Sequence, residues 1–529
     1  MAIITDTDPD YATAKLFDLD DKAYSIEWQD QREIYDLAWK YYSGAIFDER
    51  RTDTKDGKPG SLLYPLRVNS TKQACITHAL HLWGLTSEAP ILSFSVIPKS
   101  ENTDASYERA ERLRQFCYDL FNKQGMPNRL REAGRLFNAL GGACFKVRSD
   151  KEHPLGIALE NVPVRHLYPV WMPTDYEQLV RAHIAFWIPT SIAQEIYGYQ
   201  GQGQLTDEVE YIETWTLDNW VTTVGLKSRR EVAKDPLSGL PLQGENTFKH
   251  PITGQKYIPL VYVPRLRTGR FWGDSLIEDL RGLQDEFNGR LADQGDAVVA
   301  SSHMHPWGRN LSRKRTPGPL SLPSGNQIFD AGDTQVGGGD PLIDNLIGPS
   351  LTDAVANFSD QVEQLLWDQG SVAPVVRGLD EGSQRSGVTL TARALPTIAI
   401  TDDYRDAWRT GIALMVELAM IISFTEEING ITHLDFGHDI SIEFAPRLPK
   451  DITQINETIQ IQRAAGVMSR KRALQLSPDV RDVDAELANL EAEQLEKQEQ
   501  AAELAETQAR AKATAAPPPA AKAKVSPKK

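Results

Sequence analysis

His303-Met304-His305 presents two imidazoles that could ligate a divalent metal, but no third ligand stands at a matching spacing, so the pair reads as surface. Asp6-Thr7-Asp8-Pro9-Asp10 opens like a calcium loop, yet Tyr11 occupies the turn-glycine position and Phe17 the position of the closing acid. Asp56-Gly57-Lys58-Pro59-Gly60-Ser61 has the Gly-Lys of a phosphate loop. No glycine stands five residues before Gly57, and Pro59 sits where a hydroxyl is required. The glycines of Tyr197-Gly198-Tyr199-Gln200-Gly201-Gln202-Gly203 do not have dinucleotide-binding spacing and read as a flexible loop. Cys75, Cys117 and Cys144 are odd in number and far apart, which argues against a disulfide framework or zinc site and for a reducing compartment. The expectation is a protein with no catalytic residue of its own, no metal and no cofactor.

Two basic features stand out against a net charge of -16. The first is Arg309-Asn310-Leu311-Ser312-Arg313-Lys314-Arg315. In the second, Arg377 and Arg385 enclose Gly378, Asp380, Glu381, Gly382 and Ser383, with Ser386 and Gly387 just beyond, where small residues give a loop its freedom and the two carboxylates oppose a strong hold on phosphate. Each reads equally as a solvated surface turn. An acidic chain is not one that wraps nucleic acid, which requires an excess of Lys and Arg. The charge also serves simply to keep a large assembly soluble.

Two helical patterns must position these features. Ser275 to Ala300 carries Leu276, Leu280, Leu283, Phe287 and Leu291 on one face, behind a capping box of Ser275 and Glu278. Leu351 to Gln369 carries Val355, Phe358, Val362, Leu365 and Leu366 behind a cap between Ser350 and Asp353. At about 1.5 Å per residue they would span roughly 39 Å and 28 Å. Between them lie Pro306, Pro317, Pro319, Pro323, Gly337-Gly338-Gly339, Pro341 and Pro349, which break long helices but suit a small β module. The pattern is a rod with a knob, or alternatively two helices packed in one monomeric core.

Elsewhere the chain reads as α+β and predominantly helical. Helical spacing begins near Gln29 with Ile34, Leu37, Ala38 and Tyr41, and continues over 70–86 and 104–141. Alternating runs at Ala182 to Ile188 and Glu210 to Trp215 predict strands. No secretory signal is expected at the acidic N-terminus. The apolar run Gly411 to Phe424 is interrupted by Glu417 and is too short to cross a bilayer, so it predicts a core helix and no membrane partner. Ile452, Ile455 and Ile459 line a helix ending at Gly466, a left-handed cap. Asp482 starts another with Val483, Leu487 and Leu490, whose repeat is too short for a coiled coil. The Ala-, Lys- and Pro-rich end predicts disorder.

Several pieces, in order, resemble the tailed-bacteriophage portal protein family, the head-to-tail connectors. Tyr41-Tyr42-Ser43-Gly44, Asn69 and Trp83-Gly84 resemble the front half of a portal wing. Gly273-Asp274-Ser275-Leu276, Leu283-Gln284-Asp285 and Asn288 resemble the stem entry. Ser386-Gly387-Val388-Thr389-Leu390, Ile442-Glu443-Phe444, Leu448-Pro449-Lys450-Asp451, Ala465-Gly466-Val467-Met468-Ser469 and Val480 to Glu486 are similar to successive later portal segments. The resemblance runs from Ile34 to Glu493 and rests on the ordered set.

It implies a portal fold of wing, stem, clip and crown assembling as a ring. A flexible acidic arm (1–25) would precede a wing (26–272), a first stem helix (273–300), a clip (301–350) and a second stem helix (351–370). A tunnel loop, a following helix and a return to the wing (371–450), a helical crown (451–495) and a disordered tail (496–529) would follow. The tunnel-loop candidates are Arg377, Gly378, Asp380, Glu381, Gly382, Arg385, Ser386 and Gly387. The clip docking candidates are Arg309, Arg313, Lys314 and Arg315. The implied partners are further copies of the chain in a dodecamer, double-stranded DNA, the terminase large subunit, head-completion, adaptor and tail proteins, and major capsid and scaffolding proteins. The implied place is the portal vertex of a virion, after assembly in the host cytoplasm. The alternatives are a capsid scaffold or adaptor, or a packaging ATPase or nuclease, which should show the phosphate loop and carboxylate cluster that are missing.

Overall fold

Local signals account for the first helices. α1 (Ser25–Ser43) buries Trp28, Gln31, Tyr35, Ala38 and Tyr41, the three- and four-residue spacing of one helical face. α2 (Ser70–Trp83) starts on Asn69, whose side chain accepts from the Lys72 amide at 2.9 Å. α3 (Asp104–Lys123) has a capping box between Thr103 and Ser106. It stops before Gly125, left-handed at φ 64°, and α4 (Met126–Leu140) restarts with a proline in its first turn. The helical region expected over 104–141 is therefore two helices.

This computed structural model describes residues 25–47, 67–84, 91–99, 103–201, 207–226, 229–236, 238–302, 305–309, 318–321, 327–330, 342–346, 353–379, 392–445 and 459–468, and the single positions 473, 487 and 490. The acidic arm, Met304, His303, Ile452, Ile455, Asp482, Val483 and the C-terminal tail lie outside the described residues.

The described strands form four sheets. β1 (Leu92–Pro98) pairs antiparallel with β15 (His438–Phe444), Phe94 opposite Ile442. β2 (Gly142–Ser149) lies between β3 (Ile157–Val162) and β10 (Leu260–Pro264). The largest sheet runs β4 (Leu167–Met172), β5 (Asp175–Pro189), β6 (Glu208–Thr216), β7 (Asn219–Leu226), β8 (Arg229–Val232), with β9 (Gln243–Glu245) also on β7. A short helix, α5 (Thr190–Tyr197), follows β5 and ends on left-handed Gly198. The strands expected over Ala182 to Ile188 and Glu210 to Trp215 are thus neighbours in β5 and β6. Lys146 on β2 reaches Glu160 on β3 at 3.2 Å and Glu213 on β6 at 3.0 Å, tying this sheet to the three-stranded one.

α6 (Leu276–Ser302) and α7 (Asp353–Gln369) close to the expected bounds of the helix pair. Between them stand β11 (His305–Arg309), β12 (Gly318–Ser321), β13 (Gln327–Asp330) and β14 (Leu342–Leu346), in sheet order β12-β13-β11-β14. β11 pairs parallel with β13 and antiparallel with β14, Trp307 facing Phe329 and Asp344. The described residues of the proline-rich excursion are therefore β strands, in keeping with the small β module expected there.

The apolar run at Gly411 to Phe424 is part of α8 (Leu395–Thr425), a helix long and apolar enough by composition to cross a membrane. It is packed in protein: Tyr404, Trp408, Ile412, Met415, Val416 and Ala419 are fully buried. Gly411 lets the helix lie against β10, since a Cβ there would fall 2.4 Å from Val263 Cγ2. The fold is mixed α+β, as expected. Two compact units are separable, residues 1–448 and 449–529. In the second, residues 459–464 are helical and end at Gly466, φ 70°, where the Val467 amide bonds Gln462 O at 3.1 Å in a left-handed cap.

Candidate functional site: a helix pair and its root

α6 begins on a doubly used serine. Ser275 Oγ accepts from the Ile277 amide at 3.1 Å and donates to Ala139 O at 2.6 Å, so one hydroxyl caps the helix and binds it to the end of α4. Immediately before it, Gly273 crosses Gly141. A Cβ on either would stand within 2.3 Å of the other's carbonyl oxygen, so only glycine permits the crossing.

One turn and more along, polar side chains of α6 reach back into the body. Gln284 is fully buried, accepts from the Ser70 and Thr71 amides at 2.8 and 3.1 Å, and donates to Val68 O at 2.8 Å. It satisfies amides that the first turn of α2 leaves without intrahelical partners. Tyr41 OH donates to Asp285 at 2.7 Å, Asn288 Oδ1 accepts from the Val68 amide at 3.1 Å, and Asn69 Nδ2 donates to Tyr41 O at 2.8 Å. Tyr41, Asn69, Gly273, Ser275, Gln284, Asp285 and Asn288, far apart in the chain, thus converge on one root. Trp83 packs nearby in the core against Trp408, ring centroids 4.8 Å apart.

α7 returns antiparallel along α6. Gln369 Nε2 donates to Asp279 O at 2.8 Å at the root end, and Gln294 bonds Ser359 farther out. At the foot of α7, His78 Nε2 meets Gly370 O at 2.7 Å. A carbonyl only accepts, so the proton is on Nε2. Burial, aided by Arg265 and His81 nearby, pushes the imidazole down to about 4, so it stays neutral.

The packing stripe of α6 is as expected at Leu276, Leu280 and Phe287, which are buried, with Leu283 and Leu291 half-buried. On α7 it differs. Ser359, Val362, Leu366 and Trp367 are buried, whereas Phe358 is 44% and Leu365 56% exposed; the side chain of Val355 lies outside the described residues. The reason is the small Ser359. It lets the helices meet through a hydrogen bond with Gln294, rotating the expected Phe358 and Leu365 out to an adjoining face.

The basic candidates fare unequally. Arg309 ends β11, paired with Leu342, while Arg313, Lys314 and Arg315 lie outside the described residues. Arg377 does not project freely from a loop. It ends a 3-10 turn, Pro374–Arg377, donates to Glu363 at 2.7 Å and lies 4.4 Å over the Trp367 ring. Gly378 follows in the left-handed conformation, φ 78°. Asp380, Glu381, Gly382, Arg385, Ser386 and Gly387 lie outside the described residues.

Charge completes the site. α6 and α7 together hold ten carboxylates against Arg281 and Arg290, a net -8, half the charge of the whole chain. Arg290 is occupied by Glu286 at 2.7 Å and Asp293 at 3.0 Å on its own helix. Among the described residues no cluster of three or more His, Cys, Asp or Glu is placed to hold a metal.

Residues 336–500 match the family of phage portal proteins, SPP1 Gp6-like. Over this stretch the chain is similar to portal proteins. The stretch starts before β14 and takes in α7, the Arg377 turn, α8 and β15. The portal match bears out the resemblance to this family and implies a virion capsid component in an oligomeric, capsid-associated assembly. No curated protein matches the chain. The convergent root lies upstream of the matched portal stretch, on the residues that first carried the resemblance. Gln284 and His78 are what the sequence did not disclose as structural ties; a glutamine within the apolar stripe of α6 was the available signal.

Proposed function

We propose that this chain is the subunit of a portal ring, copies of which surround a channel for double-stranded DNA at one capsid vertex during packaging and ejection. The observation that carries the reading is the concentration of half the net charge on the antiparallel pair α6 and α7, within a chain matched to portal proteins. One chain supplies two such helices, so a wall requires several copies in head-to-tail contacts that close. An acidic wall repels phosphate and lets a duplex slide without adhering. In this reading α6 and α7 are the stem, β11 to β14 the clip, the sheets and helices of the body the wing, and the helices beyond residue 450 the crown. The clip and its basic residues dock the terminase large subunit during packaging, then head-completion, adaptor and tail proteins. Major capsid and scaffolding proteins surround the wing, and assembly takes place in the host cytoplasm before incorporation in the virion. The protein works by confinement and docking, without catalysis.

Negative-stain electron microscopy with native mass spectrometry tests this. The expected result is a ring with an axial hole at about twelve times the 59.0 kDa chain. A chain that stays monomeric across salt conditions, with no rings in the images, would overturn it.

A further inference from the structure

The corner between α7 and α8 is held from two sides. From the body, His78 donates to Gly370 O, and Thr397 Oγ1 accepts from the Ala373 amide at 2.9 Å while donating to Ser371 O at 2.8 Å. Ser371 is itself left-handed, φ 54°, a conformation that a non-glycine residue keeps only where its surroundings impose it. From α7, the tie is a closed triangle of side chains. Glu363 Oε1 accepts from Arg377 at 2.7 Å and from Trp367 Nε1 at 3.1 Å, and the guanidinium covers the indole. Trp367 is 8% exposed beneath it.

We propose that Arg377 is a positioning residue, which clamps the turn Pro374–Arg377 to α7 and so fixes where the chain leaves the helix pair after Gly378. Its charge is engaged by Glu363 and its flat face by Trp367, so contact with a phosphate would require dismantling the triangle. A lysine keeps the charge that Glu363 engages but lacks the plane that covers Trp367. The clamp itself is independent of the portal reading; its consequence for DNA rests on that reading.

Opposite charge changes separate a clamp from a DNA contact. Arg377→Ala removes a positive charge and Glu363→Gln a negative one, yet both break the same triangle. In the full-length protein, hydrogen exchange at the Gly378 and Leu379 amides, which bond to Val375 O and Pro374 O, should rise about tenfold in both variants. Arg377→Lys should follow Arg377→Ala. Both Arg377→Ala and Glu363→Gln should lower DNA retention in particles. Unchanged exchange in Arg377→Ala and Glu363→Gln would overturn the clamp. So would retention that falls in Arg377→Ala, rises in Glu363→Gln and is normal in Arg377→Lys, the signature of a cation on phosphate. Should Arg377→Ala fail to fold, Glu363→Gln and Arg377→Lys carry the exchange test, which needs no ring.

Discussion

α8 and the α6–α7 pair are both long helical elements, but they are stabilised in different ways. α8 is packed within the body of its own chain: Trp408 meets Trp83, Phe137 and Phe145 with ring centroids 4.8, 5.5 and 5.9 Å away. The pair is acidic, buries one stripe, and is held at its root by a few side-chain hydrogen bonds, three of them made by Gln284 and one each accepted by Asp285 and Asn288. α8 is long and apolar enough by composition to cross a membrane, yet it is buried within one chain, as the interrupted run Gly411 to Phe424 predicts, whereas the pair keeps an uncovered apolar row.

The largest expected effect lies on the α8 side. Trp408→Ala removes a fully buried indole from an aromatic cluster and should cost about 3–5 kcal/mol in a denaturation experiment. A loss below about 1 kcal/mol would mean that the cluster relaxes freely and that α8 is not the rigid centre against which the pair is built.

Acid should come next, acting where the two regions join. His78 is neutral in the folded protein, its imidazole pushed down to about 4 by burial, with Arg265 and His81 adding to the effect and the Gly370 carbonyl opposing it. An unfolded histidine titrates near 6.5, so between those values the unfolded chain binds a proton that the native chain refuses. Stability is therefore full above about pH 6.5 and is lost as pH falls towards 4, by about 3 kcal/mol from this residue. His166, pushed down to about 3 by burial with Arg165 and Arg32, extends the loss in the same direction. Urea titrations of wild type and His78→Gln at pH 7 and pH 5 check the sign, and the variant should show the shallower dependence. Equal slopes would remove His78 from the account.

The regular elements were legible because their signals are local. The cap at Ser275, alternation in β5 and β6, and prolines between α6 and α7 each act over a few residues. The root was not legible as a structure. Gln284 looks like any helical glutamine until α2, more than two hundred residues earlier, brings orphan amides to it. The division of the α7 stripe into a covered and an uncovered row within one chain was hidden for a related reason. Helical spacing assumes that the larger apolar side chains turn inward, but a serine bonded to Gln294 sets the rotation instead. Arg377 looked like a loop cation because neither the charge of Glu363 nor the face of Trp367 can be assigned to it from spacing along the chain.

The smallest effect on the folded chain should have the largest consequence for assembly. Phe358 and Leu365 are seven residues apart, two turns of α7, and so lie in one row beside the face that rests on α6. Phe358 has Arg290 of the same chain 5.9 Å from its ring, a contact too open to cover it. Replacing both with serine exposes no core and opens no cavity, so stability should change by less than about 1 kcal/mol. If copies of the chain meet along this row, the double variant should remain a folded monomer and fail to give closed rings, because each contact around the circle loses the same apolar pair. Normal rings would assign closure to the sheets of the body or to β11 to β14 instead. The difference from α8 would then be one of charge alone, with the acidic pair free to face the channel while other surfaces hold the copies together.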